Sequence, residues 1–198
     1  MSLLERMLTD LKAPLDRARA HAHEGVGEQI MSLALAKVVF RDCHAGRRVR
    51  AYGFVRVRAE GQVVLGSRSF FLRGMIPTTL VAHPGAELRI GEGTGFNYGA
   101  SVEAHERVEI GNRCMIASMA RISDRGPSGV DPVVVEDDVW IAHGAILEPG
   151  ARIGHGSVVS AGSVVTGRIP PDSLALGNPA RPMRLELFRG RAAPPASR

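Results

Sequence analysis

The chain carries seven histidines, the side chains best suited to proton chemistry near neutral pH because imidazole titrates there without help from its surroundings. They are His21, His23, His44, His83, His105, His143 and His155. An imidazole can take a proton from a hydroxyl or amine as a general base, or donate a lone pair to a metal. Two cysteines, Cys43 and Cys114, make neither a CxxC pair nor a disulfide framework, which fits a reducing compartment. A net charge of +5 and a pI of 10.0, both set by arginine, imply an anionic partner. The basic residues are scattered through 17–19, 47–58, 121–125 and 181–191, with no dense run and no helix-turn-helix or zinc-finger spacing. That distribution disfavours nucleic acid and suits a phosphorylated small molecule.

The elements that must position these groups follow from an internal repeat. Aliphatic residues fall at Ile110, Ile116 and Ile122, then at Val135, Ile141, Leu147, Ile153, Val159 and Val165. Four residues after most of them comes a small or short side chain: Cys114, Ala120, Val139, Ala145, Ala151, Ser157 and Ser163. A period of six matches neither a helix nor a flat strand. It fits a chain that lays one short strand on each side of a triangular prism, aliphatics inward and small residues in the corners. Turns then stack at about 4.8 Å, and no single repeat is stable alone. The phase extends upstream through Ile90, Phe96 and Val102, with Thr94 and Ala100 at the small positions. Two extra residues between Val102 and Ile110 predict a bulged corner. The longer break between Ile122 and Val135 predicts a loop leaving the prism, where function tends to concentrate.

Composition agrees: aromatics are only 5% and glycines number 23, which suits tight turns around small side chains. Before the repeats, residues 2–24 show helical spacing at Leu3, Leu4, Met7, Leu8, Leu11 and Leu15, interrupted at Pro14, and a second helix is expected over Glu28 to Val39. Residues 1–48 are thus expected as a helical extension, 49–188 as the β domain and 189–198 as a disordered tail. The longest apolar run, Ile30 to Phe40, contains Lys37 and is too short for a membrane span, and the first residues do not read as a signal peptide. A cytoplasmic location without membrane attachment is the expectation.

The stretches "GFNYGASVEAHERVEIGNRCMIA" (95–117), "VVVEDDVWIAHGAILEPGARIGHGSVVSAGSVVT" (133–166) and "IPPDSLALGNPARPMR" (169–184) resemble the hexapeptide-repeat O-acetyltransferases, which include galactoside, maltose and polysaccharide-modifying enzymes. The resemblance implies a mainly β, left-handed parallel β-helix. It also implies a homotrimer with sites in the clefts between prisms, acetyl-CoA as co-substrate, and a small sugar-like acceptor. By position, Ala142 and His143 would meet the thioester, Ala161 and Thr166 the pantetheine arm, and Arg181, Arg168 and Arg184 the nucleotide end. An arginine fork suits phosphate because it donates two hydrogen bonds at once. Asn97 and Trp140 match acceptor-side positions, although Trp140 also reads as a cover for the prism end or the trimer contact.

One departure stands out. The family's base histidine follows an Ile-x-Asp motif in the ejected loop, whereas this chain reads Ile122-Ser123-Asp124-Arg125-Gly126-Pro127-Ser128. His105 or His143 is the expected replacement, with Asp124 orienting an imidazole or an ammonium acceptor. No metal is expected, since His83, His105, His143 and His155 lack the pair five residues apart associated with γ-type carbonic anhydrases. A serine acetyltransferase is a weaker alternative, because its His-Pro would fall at Asp131-Pro132. A non-catalytic trimeric scaffold that has lost the loop histidine is the competing reading.

Overall fold

The structure, a computed structural model, describes residues 25–184. The helix expected over 2–24 and the tail expected over 189–198 lie outside the described residues. The chain winds into a parallel β-solenoid of about seven turns with three faces, as the six-residue period requires. Face A stacks His44–Ala45, Gln62–Leu65, Glu87–Ile90, Arg107–Ile110, Val133–Val135, Arg152–Ile153 and Arg168–Ile169. Face B stacks Arg50–Ala51, Phe70–Phe71, Gly95–Phe96, Met115–Ile116, Trp140–Ile141, Val158–Val159 and Ser173–Gly177, with Ala180–Arg184 added antiparallel at its end. Face C stacks Val55–Ala59, Thr78–Ala82, Ser101–Ala104, Arg121–Ser123, Ile146–Leu147 and Val164–Val165.

The aliphatics of the repeat form three inward columns in strict register. Face A contributes Leu65, Ile90, Ile110, Val135, Ile153 and Ile169. On face B the column runs Phe71, Phe96, Ile116, Ile141, Val159 and Ala175. Leu80, Val102, Ile122, Leu147 and Val165 fill face C. All are buried in one core, each contributing about 1.5–3 kcal/mol when it is a full-sized aliphatic. The small residues, from Thr94 and Ala100 through Ser163, are buried at the corners, where a larger side chain would meet the turn above.

The bulged corner expected between Val102 and Ile110 takes another form. The two extra residues lengthen the strands, so that Ala104 and Val108 both point inward on either side of a short corner at His105 and Glu106. The upper turns are therefore wider than the lower ones. This width holds the Phe71 and Phe96 rings, stacked at 5.0 Å. Helix α1, Val26–Val39, packs against the first strands of faces B and C at this end. It carries Glu28 in its first turn and Lys37 in its last, both favourable to the helix dipole, and it buries Ala36. Its C-cap Phe40 meets Phe71 at 4.9 Å, covering a core that would otherwise open to water. Among the described residues no helix is long and apolar enough to cross a membrane.

The A–B corner is stitched by carboxylates. Asp137 accepts hydrogen bonds from the Asn112 backbone and carboxamide at 2.8 to 3.1 Å, and Asp138 accepts two from the Arg113 guanidinium at 2.7 and 2.6 Å. Asn112 holds Asp137 below the usual carboxylate range, and Arg113 does the same for Asp138. A carboxylate with a depressed folded-state pKa stabilises the fold fully above its unfolded value and loses that contribution as pH falls through the folded value. Thermal stability should therefore be level down to about pH 4 and decline below it. Asn112→Ala should shrink the acid decline; an equal decline in that variant counts against this ladder.

Candidate active site at the B–C corner

The B–C corner presents the same backbone position on successive turns: Asn97-Tyr98-Gly99, Ala117-Ser118-Met119, Ala142-His143-Gly144 and Ser160-Ala161-Gly162. Backbone bonds tie each turn to the next. The Asn97, Ala117 and Ala142 N–H groups donate to Ile116, Ile141 and Val159, and the Gly144 and Gly162 N–H groups donate to the Ser118 and His143 carbonyls. The corner turns left-handed at Gly99, Met119, Gly144 and Gly162, with φ between 62 and 70°. Around Gly144 and Gly162 an added Cβ would meet nothing within 4 Å, so both turns border open space.

His143 is exposed, and its Nδ1 lies 2.8 Å from the hydroxyl of Ser118, which is only 9% exposed. Tying one ring nitrogen fixes the orientation of the imidazole and leaves Nε2 as its reactive end. The corner bonds use the N–H groups of Ala142, Gly144 and Ala145 and leave that of His143 without an acceptor among the described residues. A base and a backbone donor side by side are the components that acyl transfer needs.

The structure gathers part of the expected set here. Asn97 is two turns above His143, its side-chain oxygen accepting the Tyr98 N–H at 2.8 Å. Ala161 is exposed one turn below. Trp140 is half-buried in mid-face B between Met115 and Val158, so it does not cover the prism end. Arg181 pairs with Leu176 in the terminal hairpin, whose Gly177 N–H donates to Ser163 just beneath the corner. Arg184 pairs with Ser173 at the far end of the same hairpin, lining a cleft of about 440 Å³ with Pro170, Asp172 and Met183.

Other expected residues lie elsewhere. Thr166 is on the C–A corner, and Arg168 begins the last face A strand. His105 and Asp124 are also on the C–A corner, separated from His143 by the width of face C, roughly 15 Å of strand. Asp124 departs from one of the two roles expected of it, that of orienting an ammonium acceptor. It is 0% exposed, and its carboxylate accepts the N–H groups of His105, Glu106 and Arg107 at 2.7 to 2.8 Å. Sealed in this way it cannot touch an ammonium acceptor; it anchors the corner, with Oδ1 3.6 Å from His105 Nδ1. The ejected segment beyond it forms a small hairpin, Arg125–Gly126 against Gly129–Val130.

Sequence reasoning missed Ser118, and also the neighbours of His105. His83 and His105 stack with ring centroids 3.9 Å apart, and Glu103 meets His83 Nε2 at 2.8 Å. The spacing was available in the repeat phase, but the extra residues in these turns hide it. The cysteines are not poised nucleophiles: burial pushes the Cys114 thiol up to about 12 and that of Cys43 to about 11.

A family model described as bacterial transferase hexapeptide (six repeats) matches residues 132–167. The galactoside O-acetyltransferase of Escherichia coli K12 is 31% identical over 111 residues, half of this chain and 55% of that enzyme. A 2,3,4,5-tetrahydropyridine-2,6-dicarboxylate N-acetyltransferase of Staphylococcus aureus is 40% identical over 55 residues, 28% of this chain and 23% of its own. The chain thus spans about half the length of one of these curated relatives and a quarter of the other. A hexapeptide-repeat-containing acetyltransferase from Vibrio cholerae superposes with a TM-score of 0.52 over 93% of both chains at 23% identity. A second structure of it, complexed with acetyl coenzyme A, gives 0.50 over 90% of this chain and 88% of that one at 21% identity. The chain carries a bacterial transferase hexapeptide repeat over 132–167 and folds as a parallel β-solenoid, similar in repeat and fold to these hexapeptide-repeat acetyltransferases.

Proposed function

We propose that this chain transfers an acetyl group from acetyl-CoA to a hydroxyl, or an amine, of a small sugar-like acceptor, with His143 as general base. The observation that carries this reading is the Ser118–His143 pair, which holds an exposed imidazole beside an unengaged backbone N–H on an open corner. His143 Nε2 would take the acceptor proton while its N–H steadies the oxyanion, and Ala142 and Ala161 would border the thioester arm. Arg181 at the foot of the corner would attract the nucleotide phosphates. Asn97 and Trp140 would contact the acceptor. Thr166 and Arg168, on the far side of face C, would reach the coenzyme only from a neighbouring chain, which the expected homotrimer would supply. O-acetylation in the cytoplasm is the form of the reading preferred here; the N-acetyltransferase likeness keeps amines in the assay.

Acetyl-CoA at a hundredfold excess over its Kd should raise the melting temperature by about 5–10 °C, because a ligand that binds only the native state stabilises it. Arg181→Ala should weaken the response. A melting temperature unmoved at millimolar acetyl-CoA would remove the reading and leave the non-catalytic trimeric scaffold, which the sealed Asp124 and the missing loop histidine favour.

A further inference from the structure

The C–A corner contains a second constellation that acyl transfer at His143 does not use. On two successive turns the chain places His83 just after Thr78–Ala82 and His105 just after Ser101–Ala104, and the strand register sets one above the other. Their rings stack at 3.9 Å with 21° between planes. Both Nε2 atoms face the same carboxylate oxygen: Glu103 Oε1 is 2.8 Å from His83 Nε2 and 3.6 Å from His105 Nε2. We propose that His83, Glu103 and His105 bind a divalent transition-metal ion of the zinc type.

Two of the three donor separations suit such an ion, and the two rings need only tilt apart from their stacked arrangement for both lone pairs to converge on it. Zinc takes nitrogen and carboxylate oxygen at about 2.0–2.2 Å, so ligand atoms around a tetrahedral centre sit about 3.3 Å apart. The two separations from Glu103 bracket that value, and all three donor atoms lie within 4.8 Å of one another. Imidazole and carboxylate together select zinc, cobalt or nickel over magnesium or calcium.

A second observation points the same way. His105 Nδ1 is buried and makes no hydrogen bond, and the group it faces is the sealed carboxylate of Asp124 at 3.6 Å. A carboxylate on that side favours a proton on Nδ1 and leaves the Nε2 lone pair for a metal, the arrangement in which an outer carboxylate orients a ligating histidine. The His105 side chain is 15% exposed, those of His83 and Glu103 30% and 42%, so the ion would have a rigid inner ligand and an entry path. Ligation needs the lone pairs of both Nε2 atoms, for which protons compete, so affinity falls in acid. The ion would join two turns directly and, through Asp124, the turn from which the 125–130 hairpin leaves.

Zinc titration of the untagged 198-residue chain tests this by calorimetry and melting. One Zn²⁺ per chain is expected, with a rise in melting temperature of about 5–10 °C at a hundredfold excess over Kd. His83→Ala and His105→Ala should each remove the rise while still unfolding cooperatively. Should either fail to fold, Glu103→Gln keeps the shape and should weaken zinc at least tenfold, and Co²⁺ bound to the unaltered chain should show the visible bands of a four-coordinate site. No zinc-dependent change in the unaltered chain, or the same change in the His83 and Glu103 variants, overturns the proposal.

Discussion

His143→Ala is expected to lower acetyl transfer by about 100- to 1000-fold while leaving acetyl-CoA binding within a few fold. A positioned general base contributes on this scale, equivalent to about 3–4 kcal/mol of transition-state stabilisation. The loss should fall on kcat, because the imidazole acts on the proton in flight and not on the resting coenzyme. The side chain is exposed and projects from a left-handed corner outside the core, so truncating it should leave the fold intact. Ser118→Ala should cost less, about tenfold, since it removes the group that orients the ring and keeps the ring itself. CoA release, followed over a panel of sugars and amino sugars, reads both rates. A His143→Ala rate within threefold of the unaltered chain would transfer the role to His105 or end the catalytic reading.

Asp124→Ala should produce the largest loss of stability of any single polar substitution on this solenoid. Three backbone N–H groups, those of His105, Glu106 and Arg107, point at one carboxylate with no water contact. Removing it strands all three, at about 1–3 kcal/mol for each donor that water cannot reach. A net cost of about 3–5 kcal/mol, or roughly 10 °C in melting temperature, follows once partial relaxation is allowed. Asp124→Asn keeps an acceptor oxygen and should cost about half as much. The alanine substitution should also loosen the hairpin, because it frees the backbone at 124, whose carbonyl accepts the Asp131 N–H at 2.9 Å and closes the hairpin. Protease cleavage within 125–130 should therefore quicken in Asp124→Ala. An alanine variant melting within 2 °C of the unaltered chain would show that water satisfies the corner instead.

The inward columns were legible in the residues themselves. Ile116, Ile141 and Val159 sit at fixed multiples from one another, apart from one loop, and each must find an apolar interior, so period and burial together leave one architecture. The small corner residues followed for the same steric reason. The positions of Asn97, His143 and Ala161 on one corner were also readable, since each falls one or two places after an inward aliphatic.

What the sequence determined by itself was which side chains point in and which point out, because that is settled within six residues by sterics and hydrophobicity. Which outward side chains touch was decided only in three dimensions. Ser118 and His143 are 25 residues apart across the loop insertion, and His83 and His105 meet because lengthened strands keep two turns in step. The same stacking buried Asp124 beneath a corner nineteen residues earlier in the chain and turned an expected catalytic partner into an anchor. Contacts between turns depend on how much chain each turn consumes, and inserted residues change that length without changing the pattern that reveals the turns.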